Sequence, residues 1–377
     1  MKSRERSRFA LSACVAVAML AMSNRRICGL ALIAALLCCA GCSARPAYAP
    51  APLAPYGIQL KAAPAASGGP FLYVAGGRLS EYALGSSTPL HSVSTDASQA
   101  ALALDLHGNL CESNGQPSYS QIYTFNAQTL RLEHTLNGQG WFPALVADHL
   151  GYIYASTSGP RVLVYAPGCT QMVHVISTCA PSHAFASGPL VFDGAGHLFV
   201  GNGGGITVCV YAPTQKPEHM RLLRAIQEGI NGPYAFAIGP SGELFVANLG
   251  QSSSAVTFVS VFPPGSSTPT RKITKGIHTP IALAVDSKGW LYVANAPSQP
   301  SSPPGWVSVY APGGTRPIRK LTDGKSLPTA LALDPSGNVY VAGFSADVYV
   351  YSPGGVKLML KIAKGILHPE AMLIGSP

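Results

Sequence analysis

The sequence predicts an all-β fold: a ring of seven four-stranded sheets, a β-propeller whose last blade is completed by both ends of the chain. Three observations carry this prediction. From Phe71 to the C-terminus one phrase returns about every 45 residues, most clearly as PIALAVDSKGWLYVAN (Pro280–Asn295) and TALALDPSGNVYVAG (Thr329–Gly343). GPLVFDGAGHLFVGN (Gly188–Asn202) and YAFAIGPSGELFVAN (Tyr234–Asn248) repeat it more loosely. Second, the apolar runs are short and punctuated, with 40 Gly and 32 Pro in 377 residues, which suits strands and tight turns rather than long helices. Third, a repeat of this length is a small sheet that cannot bury both faces alone, so neighbouring copies must stack into a shared core.

The N-terminus reads as an address. Arg25-Arg26 precede the apolar run Ile27–Ala40, which ends in Cys39-Ala40-Gly41-Cys42, the charged, apolar and small-residue order of a secretory signal. The run is shorter than the roughly 20 residues that span a bilayer. A second apolar run, Phe9–Met22, lies upstream, so residues 1–41 form a signal region whose true start is expected at Met22. The ending resembles a bacterial lipobox, which implies lipidation of Cys42, anchoring to a membrane and a place in the cell envelope. With Ser43 following, that place would be the outer membrane where two membranes exist; without the lipid, the protein would be secreted. Residues 42–69 are rich in Ala and Pro and read as an extended tether. The propeller occupies residues 70–377.

Within the repeat, the first strand is the apolar run after Pro, as in Ile281–Val285. An Asp-x-x-Gly turn leads to the second strand, Leu291–Ala294. A variable loop precedes the third strand, Val307–Tyr310, and Ala311-Pro312-Gly313 turns into the fourth, Ile318–Leu321. First strands fall near Ala100, Ala144, Leu190, Ala235, Ala282, Ala330 and Ala371. Second strands fall near Leu72, Leu110, Ile153, Leu198, Leu244, Leu291 and Val339. Because the chain opens on a second strand and closes on a first, Ala371–Ile374 is expected to pair with Phe71–Ala75. Six blades follow instead if the divergent unit Ala100–Phe142 is not a complete sheet.

Charge and cysteine content narrow the function classes. The formal net charge of +9 is concentrated in the leader; from Ser43 onward 19 Lys and Arg face 15 Asp and Glu, a mild balance that gives no reason to expect nucleic acid. Beyond the leader the cysteines are Cys42, Cys111, Cys169, Cys179 and Cys209, with no pair at zinc-ligand spacing. Cys169 and Cys179 flank Met172–Ser177, an extended strand that separates their thiols unless a bulge or loop intervenes. Cys111 and Cys209 lie in apolar strand patterns and read as small buried side chains.

The recurrent Asp105, Asp148, Asp193, Asp286 and Asp334 fit turn positions, where Asp bonds the local backbone. Asn114, Asn202, Asn248 and Asn295 end second strands and open the loops at the mouth of the central channel. His278 and His368 stand in fourth-to-first connections, and Trp306 follows the longest insertion. Together they could bind a small polar ligand at the mouth, although each Asn alone reads as a loop cap. Arg221, Arg224, Arg271, Lys272, Arg316, Arg319, Lys320, Lys357 and Lys361 cluster on fourth strands. There they guard blade edges, with a cationic rim for anionic envelope material as the lesser reading.

The phrase P-x-x-A-x-D-x-x-G-x-x-Y-V-A-[ND] resembles the NHL-repeat and YVTN-type propellers from Pro70 to Pro377, which implies the propeller fold and leaves function open. A second resemblance, to propeller lactonases of the senescence-marker/gluconolactonase type, implies a divalent cation such as calcium held by Glu370 with Asn202, Asn248 and Asn295. Tyr234, Ile281 and Thr329 stand where that family places its Asp, so the base and the charge balance are missing. Lyase-type propellers imply a role for His278 and His368 with a metal. The expectation is a non-catalytic binding or scaffolding module without a cofactor, whose partner is a protein, glycan or small molecule. A metal-dependent hydrolase or lyase at the channel mouth is the alternative.

Overall fold

The computed structural model describes residues 69–377 apart from 98–99, 115–119, 139–141, 180–186, 252–255, 298–303, 323–326 and 344–345. The leader, Cys42 and the tether lie outside the described residues. Seven four-stranded antiparallel sheets form a ring, the seven-bladed propeller expected. We number the blades by their innermost strands: I, Ala371–Gly375; II, Ala101–Leu104; III, Leu145–Ala147; IV, Ser187–Phe192; V, Pro233–Ile238; VI, Pro280–Val285; VII, Pro328–Leu333.

Blade I joins the two ends of the chain. Ala371–Gly375 pairs antiparallel with Phe71–Ala75, with Phe71 opposite Gly375 and Ala75 opposite Ala371. Glu370 N adds a further bond to Ala75 O at 2.8 Å. Gly76 makes the approach possible: a Cβ there would lie 2.0 Å from the His368 carbonyl oxygen, and its φ is +141°. The divergent unit is a complete blade II, continuing as Asn109–Asn114, Ser120–Asn126 and Leu132–Gly138. Among the described residues its third and fourth strands are the longest in the ring at 7 residues each.

Inner strands are buried on both faces, as Pro280–Val285 and Leu291–Asn295 are throughout, so they read as unbroken apolar runs. In blades IV to VII the fourth strands lie at the rim and end in one buried apolar residue, Ile226, Ile273, Leu321 or Ile362. The recurrent Asp residues hold turns. Asp286 Oδ1 accepts the backbone N–H groups of Lys288 and Trp290 at 2.9 Å each, and Asp105 Oδ1 does the same for His107 and Asn109 at 2.8 and 2.9 Å.

Neighbouring blades are joined by two contacts that recur around the ring. A third-strand serine reaches back to the preceding fourth-to-first connection: Ser80 to Gly365 O, Ser260 to Gly229 O and Ser308 to Gly276 O, at 2.6–2.7 Å. A second-strand aromatic reaches forward, as where Gly354 N of blade VII donates to the Tyr292 hydroxyl of blade VI at 2.9 Å.

Disulfides replace these contacts beside blade III. Cys209 stands at the serine position of blade IV and bonds Cys179 in the preceding connection; Cys111 stands at the aromatic position of blade II and bonds Cys169 in the next blade's turn. The sequence reading of Cys111 and Cys209 as unpaired buried thiols is therefore corrected, and Cys169 and Cys179 are linked to other partners rather than to each other. With Cys111 in place of the second-strand aromatic of blade II, the turn N–H of Gly168 goes instead to Asp105 Oδ2 at 2.9 Å.

Candidate functional site

The residues singled out from sequence occupy separate blade junctions. At V/VI the structure brings three together. Asn295 Oδ1 accepts the His278 backbone N–H at 2.8 Å, and its Nδ2 donates to Val293 O at 3.0 Å and Ser308 Oγ at 3.2 Å. The His278 ring lies 6.2 Å from the Trp306 ring, whose Nε1 donates to Ser308 Oγ at 2.9 Å. His278 is exposed and Trp306 half-buried. One blade earlier, Asn248 takes the Asn231 N–H at 2.8 Å and donates to Val246 O at 3.1 Å. Both amides thus pin the loop backbone, the capping role weighed above. Asn202 is buried, with Oδ1 unpartnered among the described residues.

Glu370 lies at the I/II junction. Its Oε2 accepts the Ala100 backbone N–H at 3.0 Å, tying the closing strand to blade II. Its charge, and that of Asp96, act on Glu112, a residue the sequence reading passed over. Glu112 is fully buried on the second strand of blade II. Thr95 Oγ1 donates to its Oε1 at 3.4 Å, and Oε2 has no partner among the described residues. Burial, reinforced by the two neighbouring carboxylates, pushes Glu112 up to about 8, so it is mostly protonated at neutral pH. The Tyr123 hydroxyl donates to Asp96, and Asn114 and Tyr123 share a side-chain hydrogen bond. The signal for Glu112 was present in the repeat. The same position holds Val74, Ala155, Val200, Val246, Val293 and Val341 in the other six blades.

His368 is exposed, with φ +48°, and Thr279 in the equivalent connection has φ +51°. Among the described residues no group of three His, Cys, Asp or Glu could hold a metal ion. The groove between blades II and III measures about 500 Å³ and is lined by Leu136, Thr157, Arg161, Leu163, Tyr165 and Met172; the matching groove between VI and VII is about 20 Å³.

No family model matches the chain, and no curated protein does. Its fold is shared with solved structures. A functionally unknown protein from Desulfotomaculum acetoxidans DSM 771 is similar at TM-score 0.62 and 14% identity, over 81% of this chain and 99% of the other. A protein from Bacteroides uniformis ATCC 8492, provisionally named a 6-phosphogluconolactonase, matches at TM-score 0.63 and 14% identity over the same shares. Kuenenia stuttgartiensis hydrazine synthase matches at TM-score 0.55 and 16% identity, over 72% of this chain and 80% of the other. At these identities the likeness is one of fold.

Proposed function

We propose that the chain is an NHL/YVTN-like binding or scaffolding module, exported and held at a bacterial envelope through lipid on Cys42. The observation that carries the binding reading is the state of the loop-end amides. Asn248 and Asn295 hold backbone, which leaves a rigid ring with its exposed side chains free for a partner. The two disulfides support export, because such bonds persist in oxidising compartments. They also account for four of the five cysteines from position 42 onward, leaving Cys42 for the anchor.

The rival, a lactonase-like hydrolase or lyase using a divalent cation, has one observation in its favour. Glu112 is a buried, proton-bearing carboxyl in a place the repeat makes apolar, beside Glu370. Incubation with 6-phosphogluconolactone, with and without calcium, separates the two readings. The binding module gives no hydrolysis above buffer. Turnover that disappears in Glu370→Gln would overturn it.

A further inference from the structure

Charge is distributed unevenly around the ring. Residues 101–255 carry 5 Lys and Arg against 8 Asp and Glu, whereas residues 256–377 carry 11 against 5. The cationic arc is ordered. On the fourth strands of blades V, VI and VII a lysine recurs at one register position, with Lys272 opposite Ser260, Lys320 opposite Ser308 and Lys361 opposite Tyr349. Blades I to IV hold Ser92, Thr135, Val175 and Ala225 at that step.

Each lysine is exposed, and its Nζ lies over an aromatic ring: Lys272 is 3.9 Å from the Phe258 centroid, Lys320 4.1 Å from Trp306 and Lys361 5.4 Å from Tyr349. Lys361 also meets Asp347 Oδ2 at 2.9 Å, which makes it the weakest of the three toward an outside anion. A ring beneath an ammonium limits its rotamers in advance, so less side-chain entropy is lost when an anion arrives. Edge protection alone asks for charge on each blade, and not for an aromatic seat under it on three consecutive ones.

Resting on the binding-module reading, we infer that the V–VII arc binds an acidic polysaccharide, a chain bearing carboxylates at regular intervals. One ammonium per blade matches a linear polyanion that engages several at once, and linked contacts multiply affinity. An anionic bilayer fits less well, since the rings lie beneath the lysines rather than projecting past them to enter lipid. Nucleic acid would stack bases on open aromatic faces, and here an ammonium covers each face.

The test is equilibrium binding of the purified full chain, disulfides intact, to four probes. These are polygalacturonate, uncharged dextran, phosphatidylglycerol vesicles and a single-stranded oligonucleotide. Polygalacturonate is expected to bind, dextran not, and salt to weaken the complex. Changing Lys272→Gln, Lys320→Gln and Lys361→Gln together should lower affinity about a hundredfold, the scale on which linked contacts act. Lys216→Gln with Arg221→Gln, both exposed on the other arc, should leave it unchanged. Preference for vesicles or oligonucleotide, or an unaltered triple variant with a normal melting curve, would overturn the inference. Lactone turnover would defeat the binding-module reading itself, whereas failure to hold polygalacturonate without turnover defeats only the glycan assignment.

Discussion

Blades II to IV and blades V to VII solve one problem with different bonds. In the second arc each junction is closed by a neutral hydrogen bond, such as Ser308 to Gly276 O. Around blade III the equivalent junctions are covalent, Cys111–Cys169 and Cys179–Cys209. The covalent arc is also the one whose sequence strays furthest from the repeat. It has a 3-residue inner strand in blade III and a buried carboxyl side chain, Glu112, inside blade II. A cross-link limits the unfolded chain and does not need a well-packed interface in the way a hydrogen bond does. Repeat divergence is tolerated where a covalent bond takes over the junction.

The most damaging perturbation opens blade I, the sheet that both ends of the chain build. Deleting residues 370–377 takes the closing strand and the Glu370 link to Ala100, and unfolding should lose its single cooperative transition in denaturant. A melting curve identical to that of the full chain would refute closure through blade I.

Next in size, Cys111→Ser with Cys169→Ser, or Cys179→Ser with Cys209→Ser, should each lower stability by about 2–5 kcal/mol in chemical denaturation. Grafting in the blade VI pair separates covalent from hydrogen-bonded closure. Cys209→Ser with Cys179→Gly restores a serine facing a glycine carbonyl and should recover about 1 kcal/mol of the loss. In the other arc Ser308→Ala should cost about 0.5–1.5 kcal/mol. Equal losses in both arcs would show that the disulfides add nothing beyond the hydrogen bonds.

A separate effect concerns pH. Glu112 binds its proton up to about 8 in the fold, against an ordinary value of 4.5 once unfolded. The folded state therefore holds the extra proton between those values, and this group's contribution to stability declines as pH rises through that window. Thermal melts from pH 5 to pH 9 should fall for the native chain and fall less for Glu112→Gln. Parallel curves would mean that Glu112 is already ionised in the fold.

Much of the architecture was legible because each blade repeats the same buried runs and the same Asp-Gly turn. Blade number and the pairing of Phe71–Ala75 with Ala371–Gly375 followed from counting strands. The cysteine pairs were not legible. Partners 58 and 30 residues apart meet only because successive blades stack, and strand periodicity says nothing about which thiols face across a junction. Glu112 was legible in principle, as the one carboxyl in a column of Val and Ala, but a residue inside a strand carries none of the turn and loop signals that mark strand ends. The grouping of His278, Asn295 and Trp306 could be read from their loop positions. The lysine-on-aromatic register needed the strand pairing to be seen.

Blade I has a temporal consequence. Phe71–Ala75 is among the first segments of the ring to leave the ribosome or a translocation pore, yet the strand that covers its open side is the last to emerge. Throughout synthesis that edge presents unpaired backbone groups, an invitation to stray pairing. Productive folding therefore depends on shielding the oldest strand until the youngest arrives, so a holdase would act on this sheet before any other.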